Sequence, residues 1–151
     1  MQYRRVELSK IALTIWHICH KIILGLTKEN MDKFTIEFYE KENGDIPVEE
    51  FLLSLNVKMR AKLVGIMKIL QEKGNFLREP YTKHLEDGIF ELRGKVGSDI
   101  SRVLYFFYYD GKIILTNGFV KKTQKTPKAE MGRAKAYRND YLERCGKNEE
   151  V

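Results

Sequence analysis

A chain of 151 residues, 43% hydrophobic and 32% charged, is long enough for one ordinary core and reads as a single soluble globular domain, with no call for a membrane. The formal net charge of +6 is concentrated: residues 89–138 carry eleven Lys/Arg against four Asp/Glu, while residues 31–88 carry nine against eleven. Such a block attracts polyanions, although an ordinary solvated basic surface has the same composition. Cys19 and Cys145 are far apart and form no C-x-x-C pair, which excludes a zinc knuckle or disulfide framework and suits a reducing, cytoplasmic compartment.

Residues 1–30 contain an apolar run, Ile11 to Leu26, broken by His17, His20 and Lys21. The run falls short of the roughly 20 residues of a spanning helix, and no small-x-small cleavage site follows it. It could be an amphipathic helix packed on the domain, a membrane-surface segment, or upstream sequence fused by a choice of start site. The last fits best, because Met31 heads a natural domain start. The expected organisation is an extension over 1–30, a domain over 31–146 and a tail over 147–151.

Phe34, Ile36 and Phe38 alternate with polar residues and predict a half-buried strand. After the Asn43-Gly44-Asp45 turn, Pro47 with Glu49 and Glu50 opens a helix expected to end at Leu55. Met59, Leu63, Ile66, Met67 and Leu70 form the apolar stripe of a second helix, which Gly74 ends. The methionines are core residues on this reading. Residues 89–95 then alternate, with Phe90 and Leu92 on one face and Ile89, Glu91 and Arg93 on the other. Gly94 to Gly97 lacks the spacing of a phosphate loop and reads as a turn, within a connection of about six residues. Residues 102–109 are aromatic and branched, as in a central strand, and Asp110-Gly111 signals a hairpin into residues 112–120. Thr126 and Pro127 read as N-cap and first residue of a last helix that stops before Gly146. The expected order is β-α-α-β-β-β-α, an α+β domain with an antiparallel sheet and helices on one side.

The three histidines, His17, His20 and His84, offer no convincing metal set, and no G-x-S-x-G turn or Cys–His pair supplies a nucleophile. No cofactor is implied. The basic block is more informative. Glu91 and Arg93 share a strand face, and Arg102 on the next strand can bring its guanidinium near Arg93. Lys121 and Lys122 leave the last strand, and Lys125 and Lys128 flank a helix start, whose free N–H groups also favour phosphate. A carboxylate among cations is suited to cleavage of a phosphodiester by the RNA 2′-hydroxyl: a base takes the proton and cations stabilise the transition state. A plain salt bridge between Glu91 and an arginine explains the same spacing, and both readings stay open.

Three segments carry a family resemblance. Lys83-His-Leu-Glu-Asp-Gly-Ile-Phe-Glu-Leu-Arg93 is similar to the motif that opens the sheet of phage-derived RelE/HigB-like toxins. Ser101-Arg-Val-Leu-Tyr-Phe-Phe resembles their central strand, and Gly118 to Pro127, followed by Glu130 and Ala134, resembles their closing segment. The resemblance covers about residues 31–140 and keeps the family's order and spacing. It implies a RelE-like fold and the toxin role in a type II toxin–antitoxin system. It also implies cleavage of mRNA, often on the ribosome, and neutralisation by a helix-turn-helix antitoxin. Arg93 and Arg102 match the family's basic strand positions, and Lys122 matches a basic position at the end of the last strand. Glu91 stands where some relatives are basic, so its role as base comes from its chemistry. Lys83, His84, Lys121, Lys125 and Lys128 are the expected RNA contacts. The tyrosine that often follows the last basic position in the better-studied branch is missing. Lys128 falls near that place, and Tyr137 lies further along, facing core or solvent. His84 is a candidate acid, although a lone histidine beside a strand is more often structural. Two further hypotheses are a same-fold toxin acting on DNA gyrase and a non-catalytic RNA-binding prophage remnant.

Overall fold

The computed structural model describes residues 34–149, so the expectations for residues 1–30, including His17, His20 and Cys19, lie outside the described residues. The element order is β1 (Thr35–Phe38), α1 (Pro47–Ser54), α2 (Val57–Lys73), a short 3-10 turn (Gly74–Phe76), β2 (Thr82–His84), β3 (Phe90–Val96), β4 (Asp99–Tyr108), β5 (Lys112–Val120) and α3 (Lys128–Glu149). The strands form one five-stranded sheet in the order β1-β5-β4-β3-β2.

The helices begin and end where local chemistry directs. Pro47 occupies the first turn of α1, with Glu49 and Glu50 close behind. Asn56 caps α2 by accepting the Met59 N–H at 2.9 Å. Arg60 donates to the Leu52, Leu53 and Leu55 carbonyls, which satisfies the orphaned end of α1. Gly74 closes α2 at φ +53°, where any Cβ would collide with the Phe34 ring.

The sheet differs from expectation in four respects. It is mixed, because β1 runs parallel to β5, with Thr35 opposite Lys112. The short turns that imply antiparallel pairing join β2 to β5 in succession; β1 reaches its partner only after the whole intervening chain. A fifth strand, β2, pairs with β3 through Thr82–Leu92, Lys83–Glu91 and His84–Phe90; at three residues it is too short to show a period. The connection between β3 and β4 is the two residues Gly97 and Ser98, with Val96 paired to Asp99. Gly94 therefore belongs to a strand, and it is glycine because a Cβ there would lie 2.7 Å from the Leu63 side chain. The Asp110–Gly111 hairpin is present, with both residues at positive φ as a primed turn requires.

The fourth difference is that helices cover both faces. Leu92, Val103, Tyr105, Ile113 and Leu115 pack with residues of α1 and α2. Leu104 and Phe106 point the other way, into clusters with Met131, Ala134, Tyr137 and Tyr141 of α3. Strand β4 is apolar on both sides because both sides are buried. Between Leu104 and Tyr105 the register with β5 slips, and Thr116, the extra residue, turns its hydroxyl to the Leu104 carbonyl at 3.1 Å. Helix α3 starts one residue later than expected: the Pro127 carbonyl accepts the Glu130 and Met131 N–H groups, both at 3.1 Å. It also continues through Gly146 to Glu149. Tyr137 faces inward and stacks on Tyr39 at 4.7 Å. Among the described residues, no helix is long and apolar enough to cross a membrane.

Candidate functional site

The alternation of β3 turns Glu91 and Arg93 toward the α3 side of the sheet, and the β3–β4 register sets Arg93 directly opposite Arg102. Two cations in register repel unless a counter-charge lies between them. Glu91 provides it. Its Oε1 is 3.5 Å from Arg93 Nε and 3.4 Å from Arg102 Nε. Its Oε2 accepts a hydrogen bond from the Thr126 hydroxyl at 2.9 Å. Glu91 is 1% exposed and Arg102 5%. The salt bridges expected of Glu91 are present, and its carboxylate is buried among them.

Lys83 stands opposite Glu91 on β2, on the same face. Lys121 follows β5, with its N–H bonded to the Ile100 carbonyl at 2.9 Å. Its ammonium is held below the usual lysine range by burial first, with Glu91 acting against this and Arg102, Arg93 and Lys83 acting with it. These charge effects set Lys121 and Lys83 near the ion-paired Arg93, Glu91 and Arg102, with Lys83 opposite Glu91 in the strand register. The Arg102 guanidinium is likewise shifted down by burial, opposed by Glu91 and assisted by Arg93. Its Nη1 donates to the Ser101 carbonyl at 3.1 Å, while its buried Nε has the ionic contact with Glu91 and no hydrogen bond. Arg93 is 27% exposed and meets Glu79 at 3.8 Å. The solvent-facing part of the cluster is thus Lys83, Arg93 and Lys121, and Glu91 and Arg102 lie beneath it.

The remaining candidates separate. Lys122 and Lys125 are exposed on the segment between β5 and α3, and Lys128 is exposed as the first residue of that helix. His84 follows Lys83 on one strand and so faces the opposite side, where its ring meets Phe90 edge-on at 4.9 Å. It is not part of the cation cluster. Thr126 and Glu79 were not foreseen. The threonine was legible only as a helix cap, the local role its sequence position suggests, whereas its hydroxyl is used across the fold. Among the described residues, no group of His, Cys, Asp or Glu is arranged to hold a metal ion.

The arrangement can hold an anion at its exposed rim, with charge fixed in place by a buried counter-ion. No curated protein matches the chain. The family model described as Phage derived protein Gp49-like (DUF891) matches residues 50–139, a span that includes Lys83, Glu91, Arg93, Arg102 and Lys121. With more than half its length so matched, the chain belongs to the phage-derived Gp49-like family.

Proposed function

We propose that this protein is a RelE/HigB-like toxin of a type II toxin–antitoxin system, a metal-independent endoribonuclease that cleaves mRNA, on the ribosome, and so inhibits translation. The observation that carries the reading is the buried Glu91 carboxylate paired with both Arg93 and Arg102, with Lys83 opposite it in the strand register and Lys121 close enough for its ammonium to feel these charges. The resemblance of the three motif segments adds the reaction class. A helix-turn-helix antitoxin is the proposed neutralising partner.

On this reading the scissile phosphate lies across Arg93 and Lys121, whose charges offset the negative charge that grows as the 2′-hydroxyl attacks. Arg102 contributes field from beneath and keeps Arg93 from rotating away, through their shared carboxylate. Glu91 is an anchor for the guanidinium groups. The 2′-hydroxyl oxygen bonds to phosphorus as the bond to the 5′-oxygen breaks; solvent water takes the hydroxyl proton, and the partly desolvated Lys121 ammonium, which gives up a proton more readily than a guanidinium, protonates the leaving 5′-oxygen. Lys122, Lys125 and Lys128 steer the polyanion.

Induced expression of the full chain, followed by primer extension on cellular mRNA, tests the reading. New 5′ ends should appear within coding sequences, and Lys121→Ala should remove them with the fold retained. Growth arrest without cleaved mRNA would move the assignment to a gyrase-directed toxin. RNA binding with neither arrest nor cleavage would leave a non-catalytic binding protein.

A further inference from the structure

A groove of about 340 Å³ runs along the outer edge of β2, lined by Asn75, Leu77, Arg78, Glu79, Thr82, Lys83, His84 and Phe90. Its size lies near the lower end of small-ligand sites, about 300–1,000 Å³. Its walls are built in advance. Phe90 stacks on Tyr105 at 5.5 Å, and the His84 ring packs T-shaped against it at 4.9 Å. Arg78 ties the opposite wall by donating to the Asn75 and Leu77 carbonyls, at 2.5 and 3.1 Å. The Thr82 hydroxyl is committed to the Glu91 carbonyl at 3.0 Å and the Tyr105 hydroxyl at 2.5 Å. The exposed Asn75 amide and His84 imidazole are donor–acceptor groups of the groove.

The groove and the cation cluster meet at the edge strand. Lys83 lines the groove and also belongs to the cluster. Glu79 lines the groove and reaches Arg93 at 3.8 Å. Because β2 is the last strand of the sheet, a chain lying on the cluster meets the groove by turning round one strand.

We propose that this groove is a nucleobase subsite, which takes one unstacked base of a single-stranded RNA whose phosphate rests on the cluster. The inference rests on the RNA-directed reading above and adds where a base is held. The exposed His84 ring beside a basic track offers the chemistry of single-strand binding, since every base has a face to stack. An added peptide strand is the poorer fit: β2 offers three residues of edge, and Arg78 and Lys83 outnumber Glu79 among the charged lining residues.

The test measures binding of the full chain to a mixed-sequence 2′-O-methyl hexanucleotide, which cannot be cleaved, and to the same strand with every base removed. His84→Ala and Asn75→Ala should each weaken binding of the complete strand by about tenfold and leave the abasic strand unaffected. They should also leave the slope of log affinity against log salt unchanged, because stacking releases no counterion. Lys83→Ala should flatten that slope by about one unit. Both residues replaced in the groove are exposed, and circular dichroism checks that the variants fold. Groove variants that bind the complete strand as the wild type does would overturn the subsite and leave the RNA reading in place. A wild-type chain that binds neither strand would overturn both. Variants that keep RNA affinity but lose a protein partner would overturn the subsite in favour of a peptide groove.

Discussion

Arg93 and Arg102 face each other across the β3–β4 ladder, and both turn Nε to the same oxygen of Glu91. The pair is stable only while that carboxylate is charged and in place. Removing one partner of a buried ion pair costs roughly 3–5 kcal/mol, because the other charge is left without compensation. Glu91→Gln should therefore lower unfolding stability by about that amount in urea titrations, while Glu91→Leu combined with Arg102→Leu should recover most of it. A single variant as stable as the wild type would remove Glu91 from its anchoring role.

Lys121 gives a proton-linked signature. Its ammonium is depressed in the free protein, chiefly by burial. A bound polyanion favours the charged form and lifts the value again, so binding should take up protons as pH approaches the lysine range from below. Affinity should then fall as pH rises through the depressed value. Calorimetry in two buffers of different ionisation enthalpy measures the uptake. Lys121→Arg should bind without it, and unchanged uptake in that variant would assign the proton elsewhere.

Packing makes two glycines behave oppositely. A Cβ at Gly118 would come within 2.1 Å of the Phe51 ring, so Gly118→Ala should destabilise by about 1–3 kcal/mol through forced movement of α1 off the sheet. Gly65 lies within α2, and apart from its chain neighbours and its own helix backbone nothing comes within 4 Å of its would-be Cβ. Gly65→Ala should stabilise by about 0.5–1 kcal/mol. Thermal and urea melts check both, and equal effects would contradict the packing described.

Tyr39 ties the two ends of the fold, donating to Asp140 at 2.6 Å. Its phenol is pushed up to about 12, by burial first and then by the Asp140 hydrogen bond and charge. The unfolded phenol titrates near ~10. The folded value is the higher, so the associated stability is complete below the unfolded value and is lost as pH rises through about 12. Tyr39→Phe should lose less stability across that alkaline window than the wild type. Parallel pH–stability curves would show that Tyr39 does not titrate as described.

Much of this was legible from pattern. The stripe Met59–Leu70, the Asp110–Gly111 hairpin and the alternation of Phe90 to Arg93 each express a local period or turn chemistry, and each recurs in the structure. The second helical layer had a sign that was not used: Val103 to Phe107 is apolar without alternation, as a strand covered on both faces must be. The parallel partner of β1 left no local trace, because pairing between distant segments is set by the whole chain. At the site, strand alternation united Glu91, Arg93 and Arg102. The same rule, applied to Lys83 and His84, separates them. Thr126 could not be foreseen, because its bond to Glu91 closes a long span of sequence and replaces the capping role its neighbours suggest.

The parallel pairing of β1 with β5 also orders events in time. Thr35 leaves the ribosome well before Lys112, its partner in the sheet. Until β5 emerges, the first strand has no edge to join, and its apolar residues Ile36 and Phe38 have only α1 and α2 to shelter against. The hairpins from β2 to β5 can form through local contacts, whereas docking of β1 must wait for loop closure across nearly the whole domain. Assembly is thus gated by the arrival of β5. The clasp of Tyr39 on Asp140 comes later still, when α3 covers the far face and makes the early strand and the late helix neighbours.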